Sequence, residues 1–268
     1  KGIMASLPPN GQDGGSGTAC KETGMTRKMI GGQLVAGMIL LGLVAAMESF
    51  TDWDMALQRL WFDSDTHEWL VSADLHRHLT WVFYKGPKAL LIVLGVGCVA
   101  GALVGRRLGL SPGLRRSCLL LACGLAFVPL LLGGAKRFTD VYCPQQLEAF
   151  GGSYARQGVL ECRNPANEGR SRGKCFPAGH ASGGFALMML FFAFPRRLRW
   201  FGLALGLAVG WWMGLYQMLR GQHFLSHTLF TMIGAWMIIV LIAAILPEAE
   251  RPAGGPLRRS AGPASPSG

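Results

Sequence analysis

Three short stretches of this chain carry side chains that could bind and cleave a phosphate ester. The first runs Lys136, Arg137, Phe138, Thr139, Asp140, Val141, Tyr142, Cys143, Pro144. The second runs Lys174, Cys175, Phe176, Pro177, Ala178, Gly179, His180 and leads into the apolar residues 185–194. The third runs Arg220, Gly221, Gln222, His223, Phe224, Leu225, Ser226, His227. Pro177 and Gly179 mark a tight turn into a helix, which puts His180 in the first turn. Unpaired backbone N–H groups and the positive end of the helix dipole favour an anion there. His223 and His227 are four apart, a spacing that places both on one helical face. A lone His at a loop–helix junction is an ordinary packed residue, and paired cations at a membrane edge are ordinarily anchors. Several imidazoles and cations together on the ends of apolar runs point instead to a functional cavity.

The elements that must position these residues are membrane helices. The chain has 268 residues, 50% of them hydrophobic, with mean hydropathy +0.32. Its apolar residues fall in six blocks at roughly 30–50, 87–105, 117–134, 179–195, 200–219 and 227–246, several long enough to cross a bilayer. This predicts an all-α, polytopic membrane protein with one membrane domain over 25–246. The flanks, 1–24 and 247–268, are rich in Gly, Ser and Pro and are expected to be disordered. Met25, followed by Thr-Arg-Lys and an apolar run, is a candidate start, and no cleavable signal is expected.

The net charge of +11 is no nucleic-acid signature, because the basic residues cluster beside apolar blocks. They are expected to set topology and touch anionic lipid. Residues 106–116 and 196–199 hold Arg106, Arg107, Arg115, Arg116, Arg196, Arg197 and Arg199 without an acid, so both loops should be cytoplasmic. Six spans then put both termini inside and residues 51–85, 135–174 and 220–226 outside. Residues 51–85 read as one or two amphipathic surface helices, with Trp53, Trp61, Trp69 and Trp81 as interface anchors. The abundance of Arg, Gly and Ala suggests a GC-rich bacterial genome, hence the inner membrane.

Of seven cysteines, Cys98, Cys118 and Cys123 fall in apolar spans, and Cys20 in the N-terminal segment. Cys143, Cys162 and Cys175 share the large external connection, where at least one disulfide is expected, the pairing being open. No CxxC pair occurs, which argues against zinc. No metal or cofactor is expected, and oligomeric state has no signal in the sequence.

In this order and on these span ends, the three stretches resemble the type 2 phosphatidic acid phosphatase (PAP2) superfamily, whose pattern is K-x6-R-P, then P-S-G-H, then S-R-x5-H-x3-D. The resemblance covers about residues 130–235. It implies a six-helix membrane bundle that needs no metal and forms a phosphohistidine. Carried over, Lys136 binds phosphate, Gly179 offers its N–H, His180 is the general acid and His223 the nucleophile. Four positions depart from the pattern: Cys143 stands for Arg, Ala178 for Ser, Gln217 for Arg and His227 for Asp. Arg220, one turn after Gln217, is a candidate replacement guanidinium, and Arg137 or Lys174 a candidate second cation. His227 would orient His223 by accepting its hydrogen bond. The expected function is hydrolysis of a lipid phosphomonoester or diphosphate at the external face of the inner membrane. Alternatives are phosphoryl transfer to another lipid, a non-catalytic lipid-binding descendant, and a haem or zinc protein ligated by His180, His223 and His227.

The Arg loops make a topology prediction. A reporter fused after Arg107 should read cytoplasmic and one inserted near Asn167 external; the reversed pattern would overturn the orientation.

Overall fold

The computed structural model describes residues 26–246. The expectations for 1–24, Met25, Cys20 and 247–268 concern stretches outside the described residues. The chain folds into antiparallel helices. The first, α1 (Arg27–Phe50), starts at Thr26, whose hydroxyl accepts from the Met29 N–H. A surface segment leads to α4 (Gly86–Val104), which forms a hairpin with α5 (Pro112–Ala135). Gly95 faces Leu125 in this hairpin, and Gly101 faces Cys118. A long connection follows, then α6 (Gly179–Ala186), a 3-10 turn and α7 (Leu190–Ala193). The last two helices are α8 (Arg199–Met218) and α9 (Leu225–Ile245).

Four helical stretches are long and apolar enough to cross a membrane: Arg27–Phe50, Ala73–Val104, Pro112–Ala135 and Leu225–Ile245. The fourth expected span is a shorter apolar helix, Gly179–Ala193. The fifth is α8, whose glycines and tryptophans dilute its apolar character. Leu120, Val128, Phe185, Met189 and Ile239 are completely buried between α5, α6, α7 and α9. Outward, Val35, Leu90, Val93, Leu130 and Ile245 stay exposed, an apolar surface of the kind that meets lipid.

α8 packs through a stripe of small residues that the sequence reading did not single out. Gly202, Gly206, Gly210 and Gly214 recur every fourth residue and so share one face. Gly202 meets Leu190, Gly206 the backbone of Leu187 and Met188, Gly210 the Phe185 ring, and Gly214 Thr228 and Ala181. Without side chains there, the helix backbones approach closely, as in small-residue packing within membranes. This contact positions the His180 end of α6 against the turn that follows α8.

The antiparallel order gathers residues 51–85, 136–178 and 219–224 at one end of the helices, and both Arg-rich loops at the other. Residues 51–85 form more than surface helices. α2 (Trp53–Arg59) is followed by an antiparallel hairpin of β1 (Phe62–Asp63) and β2 (Glu68–Trp69), then α3 (Ala73–Thr80) and a π turn, Trp81–Lys85. Trp53 and Trp81 are exposed, as an interface anchor requires. Trp69 differs: its ring packs on Phe62 and Phe150 and covers Gly221. The β hairpin turns it inward, where burying an aromatic face outweighs interface anchoring.

The long connection has its own small core of Met55, Tyr142, Leu147, Phe150 and Phe224. It is tied to the end of α1 by Arg156, which donates to the carbonyls of Glu48 (2.7 Å) and Thr51 (2.8 Å). These are the acceptors that a helix C-terminus leaves unsatisfied.

The glycine stripe is testable. Gly206→Leu forces a side chain into the backbone of Leu187 and Met188 and should cost about 1–3 kcal/mol or more, read as a lower unfolding temperature in detergent. Gly97→Ala, where an added Cβ meets open space, should leave the temperature unchanged or slightly raise it.

Candidate functional site

The ends of α5, α6 and α9 away from the Arg-rich loops bring three motif stretches to one place. Lys136 follows α5 and lies over Gly179, close enough that a Cβ there would meet its Cε at 3.0 Å. Gly179 opens α6, and Ala178 caps that helix without a side-chain hydrogen bond. In this first turn the Gly179 N–H donates to the Pro177 carbonyl at 2.9 Å and the Ala181 N–H to the Ala178 carbonyl at 3.2 Å. The Ala178 N–H donates to the His227 carbonyl at 3.3 Å, linking the second stretch to α9. The first and second stretches run side by side: Cys175 N–H donates to the Val141 carbonyl at 2.9 Å, and Thr139 Oγ1 to the Phe176 carbonyl at 2.6 Å. Asp140 accepts from the Gly173 N–H at 2.7 Å and pairs with Arg163 at 2.5 Å.

A disulfide joins Cys143 to Cys175, with Cα atoms 5.2 Å apart across 32 residues; Cys162 is free and exposed. Closing a loop of this length is worth about 3–4 kcal/mol in the chain-entropy description. Cys143 occupies the position where the PAP2 pattern has Arg, so a covalent brace stands where a cation is expected.

His223 lies in the turn between α8 and α9, and three neighbours fix its backbone. Gln58 Nε2 donates to the His223 carbonyl at 2.9 Å. Asp54 accepts from the Ser226 N–H at 3.1 Å and also from its hydroxyl. This carboxylate caps α9, whose own N-cap residue, Phe224, supplies no side-chain bond. Burial raises the Asp54 pKa, and the Ser226 hydrogen bonds pull it back down. Gly221 adopts φ +65° under the Trp69 ring, a conformation and a clearance that only glycine meets without strain. None of these clamps was foreseen, because they lie more than a hundred residues away in sequence.

His180 Nδ1 and His223 Nε2 are 3.1 Å apart. The Cys175 sulfur lies 3.4 Å from the other His223 nitrogen, Nδ1. A disulfide sulfur has no proton to give, so the Nδ1 side of the ring carries the N–H. Nε2 then keeps its lone pair and accepts from His180 Nδ1–H. Burial, followed by the charge of Lys136, pushes the His223 pKa well down, so the ring stays neutral. Burial also lowers the pKa of Lys136.

His227 does not orient His223 as expected. Both its ring nitrogens are buried without a hydrogen-bond partner, and its ring sits edge-on to Phe176 and Phe224. The reason lies in helix geometry. α9 begins at Leu225, so His223 precedes the helix; the two rings still meet edge-on, centroids 5.8 Å apart, but this orientation brings no His227 nitrogen into a hydrogen bond with His223. Nor do His180, His223 and His227 form the metal triad of the alternative haem or zinc reading. The side chains whose donor atoms converge are Cys175, His223 and His227, with Cys175 held in the disulfide.

Three cations act on His180 electrostatically: Lys136, Lys88 and Arg220. Arg220 Nη1 donates to Gln217 Oε1 at 3.2 Å, so Gln217 holds a guanidinium near where the PAP2 pattern has its Arg. Lys88 and Tyr84 were missed. Lys88, in the outer turn of α4, looks like any membrane-edge lysine. Tyr84 meets the His180 ring edge-on at 5.2 Å, and the Lys88 ammonium lies 5.8 Å from the Tyr84 ring. Phe83 stacks on Trp212 and Tyr216, fixing the π turn that carries Tyr84. Arg137 and Lys174, proposed from sequence as substitute cations, are exposed.

Below the cations a cavity of about 700 Å³ opens between α4, α5 and α6. Lys88, Lys136 and His180 line its mouth, and Val96, Val99 and Ala122 its far wall. From Lys88 to Val99 is about 16 Å of helix at 1.5 Å per residue.

Neither a curated protein nor a solved structure matches the chain significantly. A family model described as the PAP2 superfamily matches residues 117–251, a span that contains all three motif stretches and half of the sequence. With Lys136, the histidine pair and the apolar helices that carry them in one constellation, the chain belongs to the PAP2 superfamily.

Proposed function

We propose that the protein is an integral-membrane phosphatase that cleaves a lipid phosphate by way of a phosphohistidine on His223. The PAP2 family is one of phosphatases and phosphoryl-transfer proteins at membranes. What supports the finer reading is one observation: His180, bonded to His223 and within the field of Lys136, Lys88 and Arg220, lines an apolar cavity together with the two lysines. The cavity's depth is close to half the ~30 Å hydrocarbon core of a bilayer, so a phosphate at the mouth leaves room for an acyl or prenyl chain behind it. On this reading the six spans are α1, α3 with α4, α5, α6 with α7, α8 and α9. The site lies opposite the Arg-rich loops, at the outer face of a bacterial inner membrane.

The chemistry follows from the geometry. A substrate phosphate takes the place of His180 at the His223 Nε2 lone pair, because a near-attack phosphorus needs about 3–3.5 Å there. Lys136, Lys88 and Arg220 hold the non-bridging oxygens at the positive end of the α6 dipole. His180 takes up a proton as the phosphate dianion binds; Nε2 then attacks phosphorus, and His180 gives a proton to the departing alkoxide. His180 then takes a proton from water, which attacks the phosphohistidine and releases phosphate. A lipid hydroxyl in place of that water makes the same site a phosphoryl transferase. Because His223 stays neutral well below the ordinary imidazole range, the nucleophile is competent at neutral pH.

Two outcomes test this. In purified protein, His223→Ala should abolish turnover and the covalent phosphoenzyme together. His180→Ala should slow an alkyl phosphate by roughly 10²–10⁴, and p-nitrophenyl phosphate, whose leaving group needs little protonation, far less. Near-wild-type phosphate release by His223→Ala would refute the assignment. For the lipid, Ala126→Trp places a large side chain in the cavity wall, well below the mouth. It should lower kcat/KM at least about tenfold for a long-chain lipid phosphate while sparing a short water-soluble ester. Equal losses for both would remove the cavity as the lipid site.

A further inference from the structure

One cluster of metal-ligating side chains goes unused by this chemistry. Cys175, His223 and His227 are all buried, and one donor atom from each lies within 4.8 Å of the other two. His227 adds an independent observation, since neither of its ring nitrogens has a partner in its fully buried position. Buried polar side chains are ordinarily hydrogen-bonded. The Cys175 backbone acts on this ring without closing a hydrogen bond to either nitrogen. While Cys175 is bonded to Cys143 its sulfur is no thiolate, and thiolate is the form that binds metal.

We propose that reduction of the Cys143–Cys175 bond turns this end of the site into a zinc-class metal site, ligated by Cys175, His223 and His227 with Cys143 as fourth donor. A dithiol supplies two electrons and two protons to the sulfur–sulfur bond and becomes a disulfide itself, leaving two thiols. A divalent ion then displaces both thiol protons to solvent and forms two bonds to sulfur and two to imidazole nitrogen. Two thiolates balance the charge of the ion, so Lys136 nearby does not forbid it. Metal–sulfur and metal–nitrogen bonds of about 2.3 and 2.0–2.1 Å imply donors roughly 3.3–3.8 Å apart in a tetrahedron. The present cluster needs closing by about 1 Å, which side-chain rotation supplies. Soft thiolate with imidazole selects zinc over magnesium or calcium.

The site would bear on function through His223, a step that rests on the phosphohistidine reading. The ring faces Cys175 with Nδ1. Metal at Nδ1 drives the ring proton to Nε2, which then has no lone pair for phosphorus. The disulfide therefore keeps the nucleophile free, and its reduction in the presence of zinc silences it.

Cobalt(II) is the probe, with full-length protein in detergent. In the non-reduced protein Cys98, Cys118, Cys123 and Cys162 are already free, and no thiolate-to-cobalt charge-transfer band is expected. After reduction with a water-soluble phosphine, which becomes its oxide with oxygen from water, that band and tetrahedral d–d bands should rise to one cobalt per chain. Cys143→Ser, which frees Cys175, should give the band without reductant. His227→Ala, with its Cys143–Cys175 peptide pair confirmed beforehand, should bind cobalt at least about tenfold more weakly after reduction. No charge-transfer band in reduced wild type, or unchanged affinity in His227→Ala, would overturn the metal site. Reduced protein that binds cobalt but, when oxidised, hydrolyses no phosphate ester would support the metal site and overturn the phosphatase reading.

Discussion

An uncompensated positive charge dominates this protein. Lys136 is half-buried at the end of an apolar bundle, and that burial is what shifts its pKa, without a carboxylate among the causes. Lys88 and Arg220 add their charge around His180. The described acids nearby are committed elsewhere: Asp54 to the cap of α9, and Asp140 to Arg163 and Gly173. Burying a charge without a partner costs several kcal/mol, and a fold keeps such a site only if something else supplies the opposite sign. A phosphate does so, with enough oxygens for three cations and a helix N-terminus. The same field favours neutral imidazole at His223, which is the form a nucleophile needs.

The surrounding structure serves to hold that arrangement open. Helix packing alone would leave the His223 turn loose, because α8 and α9 diverge from it without a capping side chain at Phe224. The surface segment supplies what is missing. Asp54 and Gln58 take hold on either side of His223, and Trp69 closes over Gly221. On the opposite flank, the disulfide and the pairing of residues 139–141 with 173–176 hold the Cys175 sulfur against the ring. The departures from the PAP2 pattern thus look coordinated. The cation lost at Cys143 becomes a brace, the one lost at Gln217 returns as Arg220 bound to that glutamine, and the Nδ1 side of His223, with no carboxylate at His227, faces the uncharged Cys175 sulfur.

Much of this was legible in the sequence, for identifiable reasons. Apolar runs of span length report helices directly, and motif residues next to their ends report one shared face. Lys136, Gly179, His180 and His223 meet as the motif order implies. The failures have physical causes too. The spacing of four did bring His223 and His227 together, but ring edge to ring face and not nitrogen to nitrogen, an orientation that spacing alone does not report. Arg137 and Lys174 were offered as cations by proximity in sequence, yet the chain turns them outward, and Lys88 from another helix takes the place. Asp54, Gln58 and Trp69 carry no local signal, since their partners lie in the turn between α8 and α9. The α8 glycine stripe was readable, since small residues at every fourth position are a known device for close helix contact in membranes.

The contact between His180 and His223 adds a final constraint. On the proposed phosphohistidine reading, acid and nucleophile cannot work while they bond each other, because the nitrogen that would attack is the one His180 occupies. Phosphate binding must break this bond, and the phosphate's charge is the natural means. A dianion drawn in by Lys136, Lys88 and Arg220 favours a protonated His180, whose best acceptor is then the ester oxygen, not the neutral Nε2. One anion thereby frees the nucleophile and arms the acid in the same step. Without it the two imidazoles satisfy each other, and neither is left as an unpaired polar group at the end of an apolar bundle.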